Sequence, residues 1–385
     1  FKKNINDTFK LVYQVSLMKS ILIISEHIFP RQTPRAHRAT ELAKEFSRKG
    51  YHVVLYSVLG SYNYFKFEKE NNIKVKDLGL RWQFRTNSSD LQLKRHLLDK
   101  VLSRIFGKLL EFPNIEYVFR IHKVLKKEMN FDALISIANP HQIHWGCAKA
   151  KLMLGKKFPV IWIADCGDPY FNNGNSKKYK HKFKKFEILF LENANFITVP
   201  IKEAVDCYEK KFENKFRIIP QGFKFKKPNK MKLNPENRVP TFAYCGNFFE
   251  GFRDPSNILK FLSKINTEYR FIIYTNDVKL IKRFIPIFRE KLVIRNFINR
   301  LELINHMKKF DFLINFENTN LPGQLPSKLI DYSIANRPIL SINTQEQDFS
   351  VFIEFLNGNY KNRYIVNDLN DYKIEKVAAS FVSLM

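Results

Sequence analysis

At 385 residues the chain is long enough for two ordinary cores, and its 45% hydrophobic content supplies the material for them. Its four cysteines, Cys147, Cys166, Cys207 and Cys245, are scattered and include no C-x-x-C pair, which argues against a disulfide framework or a cysteine-rich zinc site and fits a reducing compartment. The net charge of +28 reads either as a polyanion partner or as drift in a composition rich in Lys, Asn, Ile, Phe and Tyr, so only local clusters of charge carry information.

No uninterrupted apolar run reaches the roughly 18–20 residues of a membrane span. Lys10 and Lys19 interrupt the opening stretch, which makes a poor signal peptide. MKSILIIS, from Met18, reads as a natural beginning, and residues 1–17 read as an extension outside the fold.

SILIIS (20–25) has the continuous apolar character of a parallel strand buried on both faces. A polar loop follows, then a helix with apolar positions at Ala36, Ala39, Leu42, Ala43 and Phe46. Thr33 suits its cap, Pro34 its first turn and Gly50 its end. YHVVLYSV completes a βαβ unit. The alternation continues with a strand in 131–138, a helix over 141–154, a strand in 159–165, a helix from about Lys178 to Asn193, and strands in 195–200 and 216–222. Residues 224–240, with three prolines and five lysines, read as a linker. Beyond it the alternation restarts: strands in TFAYCGN, YRFIIYT, KLVIRNF, FDFLINF and PILSI, with helices near 255–265 and 277–289 and from Arg300 and Ser327. The expected fold class is therefore α/β, two Rossmann-like domains facing a central cleft. The first spans 18–223 and the second 241–385.

Four segments carry candidate chemistry. In GQLPSKLIDYSIANRPILSI (323–342), a loop with Gly323 and Pro326 enters a helix whose first N–H groups and dipole suit a phosphate. Ser327 lies at its start, Lys328 adds a cation, and Asp331 can accept from ribose hydroxyls. The plain structural reading is a capped helix with a surface Lys–Asp pair. In FAYCGNFFEGFRDPSN, a strand ends at Cys245 and Gly246, followed by Asn247, and Arg253 offers a planar fork to a diphosphate or merely caps a loop. In VIWIADCGDPYFNN, a strand delivers Asp165 and Asp168 to its carboxyl end. Asp168 can orient a hydroxyl or accept a proton, or it only shapes an Asp-Pro turn. In the first loop, Arg35, His37 and Arg38 sit at the positive end of a helix, which points to an anion or to plain solvation.

PSKLIDYSIANRPIL resembles the donor-site segment of the family 4 retaining glycosyltransferases, of surface-polysaccharide type, whose fold is the GT-B pair of Rossmann-like domains. The resemblance implies that Gly246, Asn247, Arg253, Gly323, Pro326, Ser327, Lys328 and Asp331 bind a nucleotide-sugar donor in the second domain. It implies that Asp168, Arg253 and Lys328 are catalytic. It sets Arg35, His37, Arg38 and Asp165 on the acceptor side in the first. The chain departs from the family twice: the second acidic position is Asp331 instead of Glu, and the first falls at Gly323. The implied reaction is a metal-independent hexosyl transfer with retention, from a nucleotide sugar to a saccharide or lipid-linked acceptor in cell-surface polysaccharide synthesis. The nucleotide sugar is a substrate, so no cofactor is expected. An epimerase of the same fold and a non-catalytic nucleotide-sugar-binding module are the rival readings.

D-x-D, P-loop and G-x-G-x-x-G motifs are absent, and His141 and His144 have no third ligand close by in sequence, so no metal is expected. The lysines are scattered, so no nucleic-acid partner is expected. Two basic amphipathic stretches, 91–110 and 176–190, suit either an anionic membrane surface or packed helices with solvated basic faces. The expected location is cytoplasmic, peripheral on the inner face of the cell membrane.

Overall fold

The computed structural model describes residues 19–81, 106–107, 110–128, 130–171, 182–226, 231, 233, 237–251, 253–317, 328–344, 348–366 and 368–385. The extension before Met18, most of 91–110, and Gly323, Pro326 and Ser327 lie outside these.

Two units emerge. The first contains the described residues up to Lys224 together with Ile374–Met385, and the second spans Phe225–Lys373. In the first unit the elements are β1 (Ser20–Ser25), α1 (Pro34–Arg48), β2 (His52–Ser57), α2 (Phe65–Asn71), β3 (Ile73–Asp77), α3 (Glu116–Lys127), β4 (Ala133–Ile137), α4 (Gln142–Leu154), β5 (Ile161–Asp165), α5 (Lys184–Asn193), β6 (Phe196–Val199) and β7 (Phe216–Ile218). The seven strands are all parallel, in the order β3-β2-β1-β4-β5-β6-β7. Residues 21–25 are buried, as a central parallel strand requires. Thr33 Oγ1 accepts from the Ala36 N–H at 3.2 Å, the expected cap.

The second unit contains β8 (Thr241–Cys245), α6 (Ser256–Leu262), β9 (Arg270–Tyr274), α7 (Ile285–Phe288), β10 (Leu292–Arg295), α8 (Arg300–Met307), β11 (Phe312–Phe316), α9 (Lys328–Ala335), β12 (Ile339–Ile342) and α10 (Ser350–Leu356). Its five strands are parallel in the order β10-β9-β8-β11-β12. Phe242 stacks between Phe271 and Phe312, with centroids 4.8 and 4.7 Å away. Each such pair adds about 0.5–1.5 kcal/mol beyond area burial.

Both strand orders reverse direction once, between β1 and β4 and between β8 and β11. In open parallel sheets, ligands bind beyond the carboxyl ends of the strands at this reversal. Gly246, just past β8, stands at the second of these points.

Three expectations need correction. The second domain does not run to residue 385. A last helix, α11 (Ile374–Val382), buries Ile374, Val377, Ala378 and Phe381 in the first unit, beside Phe46 and Ile219. Its helical spacing is plain in the sequence, but spacing does not say which sheet a helix covers. The helix expected near 277–289 shrinks to the four residues of α7. Pro286 falls in the first turn of α7, a position that proline tolerates, whereas inside one long helix over 277–289 its ring would clash with the preceding turn and remove a donor. Finally, β3 joins the first sheet and α3 packs on α4 in the same unit, although the strand–helix alternation above did not include them.

Candidate functional site

In the second unit the site is built where β8 ends. Gly246 has φ +148°, and a side chain there would begin 3.1 Å from the Tyr244 hydroxyl. Its N–H donates to Tyr274 O at 2.9 Å. Asn247 is held on both sides: its carbonyl accepts from Tyr244 Oη at 2.9 Å, and its Oδ1 accepts from Thr275 Oγ1 at 3.1 Å. Phe249 and Arg253 pair as an antiparallel bridge, which folds the intervening loop. The Arg253 guanidinium lies 5.8 Å from the Phe249 ring centroid. Asp254 Oδ1 then accepts from the Ser256 N–H at 2.8 Å and starts α6.

Helix α9 reaches the same place. Residues four apart share a helix face, and Lys328 and Tyr332 use that face together. Tyr332 Oη accepts from the Cys245 N–H at 2.9 Å. Lys328 Nζ rests 4.3 Å from the Tyr244 ring centroid. It is shielded from solvent and has no hydrogen-bond acceptor among the described residues. Burial first, and then the like charge of Arg253, hold its pKa well below the ordinary lysine value. The geometry thus brings Gly246, Asn247, Arg253 and Lys328 to one end of β8.

Asp331, one turn into α9, is already engaged. Arg300, the first residue of α8, donates from Nε to Asp331 Oδ1 at 2.9 Å, and its Nη2 contacts the same oxygen. Burial raises the Asp331 pKa, and Arg300 opposes that rise. Sequence reasoning missed Arg300, Tyr244 and Tyr332. Only Tyr332 left a signal, its spacing of four from Lys328.

In the first unit, Arg35, Arg38 and Asp165 also meet, and the anion facing the arginines is a protein carboxylate. Arg38 grips Asp165 with two bonds, Nε to Oδ2 at 3.1 Å and Nη2 to Oδ1 at 2.7 Å. Arg35 Nη1 reaches Oδ2 at 3.2 Å, and Thr198 Oγ1 donates to Oδ1 at 2.6 Å. Arg38 and Asp165 are 2% and 1% exposed, so this pair is an internal brace. Burial pushes the Asp165 pKa up, but Arg38 and Arg35 outweigh it and hold the group below its usual value. His37 is half-buried on α1 and its N–H donates to Thr33 O. Asp168 is half-buried past β5; its carboxylate has no hydrogen bond or ion pair among the described residues, while its carbonyl meets His141 Nε2 at 2.8 Å.

Of the two basic amphipathic stretches, the described part of 176–190 packs inward. Phe183 and Phe186 stack on Trp145 at 5.7 and 5.1 Å. Among the described residues, no helix is long and apolar enough to cross a membrane.

No family model and no curated protein matches the sequence. Solved structures match over nearly the whole chain. A glycosyltransferase from Rickettsia africae ESF-5 aligns with TM-score 0.61 at 12% identity, over 96% of this chain and 98% of its own. The lipopolysaccharide outer core galactosyltransferase WaaB, in its apo form, aligns with TM-score 0.57 at 12% identity, over 95% and 98%. A UDP-GlcNAc 2-epimerase from Neisseria meningitidis, bound to UDP-GlcNAc, aligns with TM-score 0.54 at 10% identity, over 95% and 99%. These likenesses, with the two parallel sheets, establish the GT-B fold of two Rossmann-like domains.

Proposed function

We propose that the protein is a glycosyltransferase that moves a hexosyl group from a nucleotide sugar to a saccharide or lipid-linked acceptor in cell-surface polysaccharide synthesis. One observation carries the reading: the shielded Lys328 ammonium, without an acceptor among the described residues, stands in the field of Arg253 at the end of β8. Two cations at a parallel strand's carboxyl end make a site for a diphosphate. The structural neighbours support the transferase part of this reading, since two of them are glycosyltransferases of this fold and a third is an epimerase bound to a nucleotide sugar.

In this reading Arg253 and Lys328 stabilise the charge that develops on the leaving diphosphate, without a divalent ion. Gly246 lets the backbone approach the phosphates, and Asn247 lies beside it. Asp331 accepts from the ribose, sharing its carboxylate with Arg300. Asp168 orients the acceptor hydroxyl or the donor sugar. Retention at the anomeric carbon follows from the family resemblance alone. The chain works in the cytoplasm, at the inner face of the membrane.

The membrane surface is supported by α3 and α4. Burial first, and then Lys149, Lys126 and Lys123, lower the pKa of His122, so these three lysines converge on it. Lys149 Nζ covers the half-exposed Phe119 ring at 4.6 Å, and Leu152 and Met153 are exposed one turn on. Cations around exposed apolar side chains suit an anionic bilayer.

The test is a screen of nucleotide sugars with and without lipid-linked saccharides. Sugar transfer that depends on an acceptor supports the proposal. Epimerised sugar without an acceptor favours the second reading, which the epimerase neighbour makes specific. Binding without turnover of any donor leaves a nucleotide-sugar-binding module.

A further inference from the structure

The fold gives His141 and His144 the third ligand that the local sequence lacks. Cys166 follows β5, and its Sγ lies with one ring nitrogen from each histidine inside a 4.8 Å cluster, all three residues buried. We propose that this cluster binds a monovalent soft metal ion, of the Cu(I) class, through two imidazole nitrogens and one thiolate.

The spacing suits a shared ion. His144 Nε2 and Cys166 Sγ are 3.5 Å apart, and ligand atoms at about 2.0–2.3 Å from one ion stand roughly 3.5–4 Å from each other. The surrounding bonds orient the ligands. His144 Nδ1 lies 2.8 Å from Ser136 Oγ, which also accepts from Trp162 Nε1 at 2.8 Å. With Nδ1–H donating to Ser136, Nε2 turns its lone pair to the thiol.

The choice of ion follows from the shell. Phe190 lies 5.0 Å from the His144 ring and 6.2 Å from His141, and Tyr170 lies 5.5 Å from His141. Asp165, the carboxylate that acts on His144, is held by Arg38 and Arg35. That carboxylate is already matched by two arginines, so a monovalent ion and a thiolate add no net charge, whereas a divalent ion adds one that nothing compensates. As the sulfur–copper bond forms, the Cys166 S–H proton leaves to solvent. Copper remains Cu(I), so no electron moves. Through His141, the bound ion braces the turn that carries Asp168.

Reduced, full-chain protein, kept without oxygen, is titrated against the coloured Cu(I)–bicinchoninate complex. The wild type is expected to withdraw one equivalent. Cys166→Ala and His144→Gln bind at least tenfold more weakly, while Cys207→Ala, which removes the half-buried thiol, matches the wild type. Failure of the wild type to withdraw copper overturns the site, as does undiminished binding by Cys166→Ala or loss of binding in Cys207→Ala. If the cluster variants do not fold, X-ray absorption of the wild type with one equivalent decides. Two nitrogens and one sulfur support the site; sulfur alone, or no sulfur, overturns it.

Discussion

Lys328 Nζ lies 4.3 Å over the ring of Tyr244, so a cation from α9 is held by the face of an aromatic residue on β8 and by no acceptor among the described residues. An aromatic face attracts a cation without neutralising it. The charge is therefore still available to an anion.

Lys328→Met should weaken binding of a nucleoside diphosphate by roughly 10–150-fold, the 1.5–3 kcal/mol of a charge-assisted hydrogen bond. Turnover should fall further, because charge on the leaving group grows towards the transition state. The unligated variant should melt no lower than the wild type, since the shielded ammonium costs stability. Calorimetry and thermal melting check both; unchanged affinity returns α9 to a purely structural role.

The lowered pKa of Lys328 gives a pH effect of definite sign. An arriving diphosphate favours the charged amine and raises its pKa, so binding takes up a proton between the free and bound values. Affinity should fall as pH rises through that window. Calorimetry in buffers of different ionisation enthalpy should show the uptake in the wild type and its absence in Lys328→Met.

The Arg300–Asp331 pair predicts a split between nucleoside and phosphate recognition. Asp331→Asn should bind uridine diphosphate about tenfold more weakly, near 1.4 kcal/mol, and pyrophosphate as the wild type does. An equal loss for both ligands would remove Asp331 from the ribose.

Asp165 predicts a stability effect without a ligand. Asp165→Asn leaves Arg38 buried and uncompensated, and should destabilise the first unit by about 3–5 kcal/mol. The Asp165 pKa is lowered on folding, so its contribution is present above the unfolded carboxylate value and is lost as pH falls through the folded one. Thermal melting across that range should show the wild type and Asp165→Asn converging in acid.

For the basic face, Lys123→Gln, Lys126→Gln and Lys149→Gln together should lower affinity for anionic vesicles by on the order of a hundredfold, at about 1 kcal/mol for each lysine removed. Co-sedimentation with anionic and neutral vesicles measures it. Equal binding to both by the wild type would leave these lysines to composition.

The sequence displays its parallel strands because those strands are buried on both faces and read as apolar runs, as 20–25 and 312–316 do. Local spacing also reveals the Thr33 cap and brings Gly246, Arg253 and Lys328 under suspicion. It cannot show pairings across long stretches of chain. Arg38 and Asp165 are separated by 127 positions and Arg300 and Asp331 by 31. Read alone, the first arginine invites an external anion and Asp331 looks unengaged. Cys166 reaches His144 for the same reason, through the pairing of β4 with β5.

Helix α11 also orders events in time. Its Ile374 N–H donates to Phe223 O at 2.9 Å, and Phe381 lies beneath Arg38 and beside Phe46, at 5.1 and 6.4 Å. A ribosome builds these residues only after the whole of the second unit. Until then the nascent first sheet carries a bare apolar patch on α1, and the guanidinium that clasps Asp165 lacks its aromatic cover. Vectorial synthesis therefore cannot finish the first unit before the second has left the tunnel, and the interval in between is when a chaperone has something to hold.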